Sequence, residues 1–137
     1  MASEDYLAAT LRHADDATRL LAANRPDNAA YLAGYTVECG LKVLVEAYAP
    51  GLKQPWIHDL DKLELLALVA TVAHVDVDRI FPSEEVAQVR QAGWEVAWRY
   101  VPDGTVPLTD AETMVRAAER IVGKTICGAI LDGKVRL

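Results

Sequence analysis

The stretch from Asn28 to Tyr48, NAAYLAGYTVECGLKVLVEAY, is apolar on nearly every side. Its few ionisable residues fall on one line: Glu38, Lys42 and Glu46 stand at i, i+4 and i+8, which a helix stacks into a single polar stripe. Around that stripe Ala30, Gly34, Val37, Leu41 and Leu44 make one apolar face, and Leu32, Cys39 and Val43 extend it. A helix with so little polar surface has to be covered, by neighbours in its own chain or by a second subunit.

The flanking sequence supplies such neighbours. Residues 3 to 24 read as an amphipathic helix with Ser3 as N-cap and Leu7, Leu11, Ala14, Thr18 and Leu21 on one face. Asn24-Arg25-Pro26-Asp27 is a short break, with Asp27 or Asn28 placed to cap the central helix, so the first two helices are antiparallel neighbours. After the breakers Ala49-Pro50-Gly51 and Gln54-Pro55, a third helix starts near His58 or Asp59 and runs to about Ala73. Leu60, Leu63, Ala67 and Ala70 form its inward face, yet Leu65, Leu66, Leu68 and Val69 leave it apolar almost all round. Val75–Phe81 alternates like a strand but has no partner strand, and reads as a loop. A fourth helix is expected from Ser83 as N-cap to Tyr100, with Val86, Val89, Gly93, Val96 and Ala97 inward and Trp94 and Trp98 paired at i, i+4. Thr109 and Glu112 have capping-box spacing for a last helix, with a periodic face from Ala111 to Ile126 and an end at Asp132-Gly133. The expected fold is all-α, one domain over residues 1–137, an antiparallel up-and-down bundle of about five helices.

Composition narrows the function classes. The formal charge of −6 argues against a broad DNA- or RNA-binding surface, which is built from basic residues. Cys39 and Cys127 have no CxxC or Cys/His company and are expected as buried thiols in a reducing cytoplasm. The first residues show no secretory signal and no segment reads as a membrane span, so a cytoplasmic location is expected.

The central AAYLAGYTVECGLKVLVEAY resembles the second helix of HEPN domains, helical domains widespread in prokaryotes. The amphipathic first helix, His58-Asp59-Leu60 opening the third, Trp98-Arg99-Tyr100 closing the fourth and Thr109-Asp110-Ala111-Glu112 opening the last agree in order. The resemblance implies a dimeric bundle, often encoded beside a nucleotidyltransferase and often a metal-independent ribonuclease in a toxin–antitoxin or defence setting. Those ribonucleases carry an Arg-x4-6-His motif, with the histidine as general acid/base and the arginine on the phosphate. Here YVPDGTV follows Arg99, and no histidine occurs after His74. The standard ribonuclease reading loses its proton-transfer group, and no catalytic residue is assigned.

What remains is a set of ligand-binding candidates: Glu38, Lys42, His58, Arg99 and Tyr100. Glu38 and Lys42 read first as an ordinary i, i+4 pair, but a buried Glu38 needs a partner, for which Arg99 and His58 are the candidates. Asp59 reads as a helix cap, His13 as a packed structural histidine, His74 as a C-terminal cap, and Trp94 and Trp98 as core. No histidine pair has metal-ligand spacing, so neither metal nor other cofactor is expected. The expected function is a non-catalytic HEPN-like binding or regulatory module, a homodimer associating with a nucleotide, RNA or a nucleotidyltransferase. The alternative is a divergent ribonuclease toxin that uses Tyr100, His58 or Asp103 in place of the missing histidine.

Overall fold

The computed structural model describes residues 4–52, 58–74 and 76–137. Among them the regular structure is helical, without a strand. In order, α1 spans Tyr6–Ala22, α2 Pro26–Tyr48, α3 Leu60–Val72, α4 Val77–Ile80 and α5 Ser83–Gln91. A 3₁₀ turn, Val96–Tyr100, follows; then α6 (Leu108–Arg120) continues through a π-helical segment, Ile121–Ile126, into α7 (Cys127–Leu131).

The apolar stretch becomes the enclosed axis of the bundle. Sixteen of the 23 residues of α2 are buried, so it is a core helix. It packs against α1, α3 and α6 and touches α5, the 3₁₀ turn and the π segment. Leu41, Leu44, Leu63, Ile80, Met114, Ile121 and Ile126 are fully enclosed. Each such side chain contributes roughly 1.5–3 kcal/mol on burial. Ala14 and Ala17 of α1 and Ala29, Ala30 and Ala33 of α2 are buried, and small residues let packed helix backbones approach closely. Lys42 over Tyr6 at one end and Tyr35 beside His13 at the middle are contacts of an antiparallel pair. Thr18, expected on the inward face of α1, is exposed and donates to Glu119.

Several ends differ from the sequence expectation, each for a local reason. Ser3, the expected cap of α1, lies outside the described residues, as do Gln54-Pro55 and Val75. Asp5 caps α1 by accepting from the Ala8 amide. Neither Asp27 nor Asn28 caps α2, which starts at Pro26; the Asp27 carboxylate instead accepts from the amides of Gly104 and Val106, at 2.8 and 2.9 Å, and staples the 101–107 loop. Ser83 and Thr109 sit inside their helices and make no capping bond; Pro82 and Pro107 precede those helices. The expected loop contains the single turn α4, with Ile80 driven into the core.

The largest correction concerns the fourth helix. It stops at Gln91, because Gly93 takes a left-handed conformation (φ +77°) and turns the chain. The Gly93 amide bonds back to the Arg90 carbonyl and the Trp94 amide to that of Val89, which closes the helix end. Gly93 and Ala97 are therefore exposed, Val96 is half-buried, and Trp94 and Trp98 do not share a helix. Freed from the helix, Trp94 turns inward, lies over Gly34 and donates from Nε1 to the Tyr31 carbonyl at 3.0 Å. A Cβ on Gly34 would overlap the indole.

The last helix ends as its Asp132-Gly133 signal predicts. Gly133 has φ +72°, and the Lys134 amide reaches the Ala129 carbonyl. Asp132 then accepts from Tyr48 at 2.7 Å and from Arg79 at 2.8 Å, joining the C-terminal end of α2, α4 and the end of α7. Among the described residues, no helix is long and apolar enough to cross a membrane.

Candidate functional site

Glu38 lies on the one polar line of a core helix, on a side that faces residues of α1 and the start of α3. There it forms the floor of an open cleft of about 370 Å³, walled by Tyr6, Arg12 and His13 of α1, Tyr35, Cys39 and Lys42 of α2, and His58. Glu38 is 1% exposed, so its charge depends on nearby partners. The His58 Nδ1 stands 2.9 and 3.0 Å from its two oxygens, and the Lys42 Nζ is 3.5 Å from one of them. The Lys42 ammonium also lies 5.1 Å from the centre of the Tyr6 ring. Of the two partners named for Glu38 by sequence, His58 is the one present.

His58 can turn this way because it precedes α3 and its neighbour does the capping. Asp59 Oδ1 accepts from the amides of Asp61 and Lys62. His58 is free of that task and reaches across to α2. Its side chain is half exposed, and its Nε2 makes no hydrogen bond among the described residues.

An aromatic and phenolic chain continues from the site. The Tyr35 ring meets the His58 ring edge-on at 6.0 Å and the Tyr31 ring at 5.0 Å, and the two tyrosines share a hydrogen bond. Burial first, then that bond, raises the Tyr35 phenol above its ordinary value. Tyr31 accepts from the Arg99 Nε at 3.0 Å. Arg99 therefore ties the 3₁₀ turn to Tyr31, and the expected Arg99–Glu38 contact is not formed. Arg99 opens onto a different depression, of about 520 Å³, beside Arg25 and Trp98. Tyr100 is 81% exposed. The structure thus brings Glu38, Lys42 and His58 together and leaves Arg99 and Tyr100 outside their cleft.

The cleft also contains residues that the sequence reading assigned to packing or passed over. Burial, and then the neighbouring Arg12 guanidinium, holds the His13 imidazole below its ordinary value. Among the described residues, His13 Nδ1 is buried without a hydrogen-bond partner. Burial pushes the Cys39 thiol up to about 12, the Glu38 carboxylate adding to it, so Cys39 is a packing thiol; Cys127, expected to be buried, is exposed. At the far end of the cleft Glu4 and Asp5 approach Glu46, whose carboxyl is raised by burial and by those two neighbours. Arg12 was the residue to miss: its exposed position on α1 gives no signal until α2 is packed alongside.

Among the described residues, no group of three or more His, Cys, Asp or Glu side chains is arranged to hold a metal ion. No family model, curated protein or solved structure matches the chain.

Proposed function

We propose that this chain is a HEPN-like binding and regulatory module, without the ribonuclease motif, that takes a nucleotide or a short piece of RNA in the cleft between α1 and α2. One observation carries the reading. A fully buried carboxylate, held by His58 and Lys42, is placed at the floor of an open cleft. Burying such a group is costly, and replacing a buried ion pair with apolar residues is often neutral or stabilising. Its presence beside an opening of ligand size is accounted for by a binding role.

The module works as a homodimer. On α3, Leu65, Leu68, Val69 and Val72 are exposed and recur at i, i+3, i+4 and i+7. That is the spacing of a helix–helix seam, and the same stripe on a second copy is its natural complement in a two-fold contact. In a toxin–antitoxin or defence setting, a nucleotidyltransferase is the protein partner that this reading favours.

Isothermal titration of the purified chain with mononucleotides and short single-stranded RNA tests the ligand site. The expected result is saturable binding, weakened in Glu38→Gln and unaffected by Tyr100→Ala. Binding that survives Glu38→Gln at full strength, or is lost in Tyr100→Ala, places the site elsewhere.

A further inference from the structure

The charges in the cleft are not spread evenly. At one end Glu4 and Asp5 lie near Glu46, and at the other stand Arg12, His13 and His58. These ends are about two helical turns apart along α1, roughly 10 Å. Lys42 is engaged between Glu38 and the Tyr6 ring. Arg12, by contrast, forms no ion pair or hydrogen bond among the described residues, yet its charge acts on both His13 and Cys39 inside the cleft.

We propose that the group recognised in this cleft is a terminal phosphate on a small molecule, clamped between the Arg12 guanidinium and the Nε2–H of protonated His58. The Nδ1–H of His58 is committed to Glu38, so a neutral ring presents Nε2 as an acceptor, and an anion is held only by the imidazolium. Arg12 supplies the planar fork that suits a phosphoryl group. The acidic end disfavours a second and third phosphate, which excludes the backbone of a polynucleotide and selects a phosphate monoester. Binding then tightens on acidification. The charged and titratable groups sharing a depression with His58 include Glu38, Lys42 and Tyr35 on α2, Arg12 and His13 on α1, and Asp59, Asp61, Arg90 and Glu95 on its other side. His13, whose imidazole is held below its ordinary value, walls the same cleft, and a pH dependence that persists without His58 is what its titration would leave.

The proposal rests on the cleft being the ligand site, and the experiment separates the two. A nucleoside 5′-monophosphate, the parent nucleoside and a hexanucleotide with no terminal phosphate are titrated at about pH 6 and about pH 8. The ligand's phosphate loses charge over the same interval, so tightening at the lower pH runs against its own titration. Expected is binding of the monophosphate alone, tenfold or more tighter at the lower pH. Arg12→Gln should abolish it, and His58→Gln should remove the pH dependence. Arg12 and His58 are exposed, so folding of both variants is readily checked by their melting curves. Equal binding of the unphosphorylated nucleoside, or a pH dependence that persists in His58→Gln, overturns the phosphate clamp and leaves the cleft as a site. Binding by none of the three ligands overturns both.

Discussion

Glu38 is where a single residue has most effect on the whole. Its partner was legible in part: a carboxylate in so apolar a helix requires a cation, and the sequence offered two. What chose His58 over Arg99 is the fold of segments distant in the chain, since Arg99 is taken by Tyr31. Glu38→Ala removes the buried carboxylate that Lys42 and His58 both approach, and is expected to cost on the order of 3 kcal/mol, read as a lower urea midpoint. A loss below about 1 kcal/mol would show that water already screens the pair. His13 gives a pH prediction. Its folded-state value is depressed, so its contribution to stability is present above the unfolded imidazole's value, about 6.5, and is lost as pH falls through the folded-state value. His13→Phe keeps a ring beside Tyr35 and removes the titration. Between about pH 7 and about pH 5, its urea midpoint should fall less than that of the parent chain; an equal fall assigns the effect to other groups.

Among the elements, α1, α2, α3 and the last helix were readable because period and breakers agree; of the expected N-caps Asp59 holds, on α3, and Gly133 ends the last helix. The fourth helix was not. Gly93 fits an apolar period as a small inward residue, and the same glycine is also the best helix terminator; the choice depends on whether Trp94 has somewhere to go. It does, because Gly34 lacks a side chain at the one place on α2 where the indole lies flat. Two glycines on separate elements therefore make one decision. Gly34→Ala should destabilise by about 1–3 kcal/mol through overpacking, with a shift in the near-ultraviolet signal of the tryptophans. If Gly34→Ala melts with the parent and an unchanged tryptophan signal, Trp94 does not occupy that position in solution.

For the molecule as a whole, the net charge of −6 and the exposed stripe on α3 set the terms of association. Acidic surfaces repel one another at long range, so a homodimer has to be held by its apolar contact and should strengthen with salt. Light scattering at tens of micromolar should give twice the chain mass, and Leu65→Lys combined with Val69→Lys should return it to 15.0 kDa without lowering the melting temperature. A parent chain that runs as a monomer rejects the dimer. All-α architecture was legible at this scale from composition and period alone. The cleft was not, because its walls come from α1, α2 and the start of α3, and no local pattern records that Arg12 and His58 share a surface.

The π segment at Ile121–Ile126 makes chain length itself a variable at that point. A π turn holds roughly one residue more than an α turn, so the segment is a place where the helix already accommodates an insertion. Removing Gly123, which is exposed and where an added Cβ would meet open space, should convert the segment to ordinary α-helix while Gly128 stays against Ile80. Removing an exposed residue upstream, such as Glu112, rotates everything beyond it by about 100° and takes Met114, Val115 and Ala118 off the core. Circular-dichroism melting curves should show the first deletion folded and the second not. Two losses of one residue, about three turns of helix apart, would then differ in outcome because only one falls where the helix has length to spare.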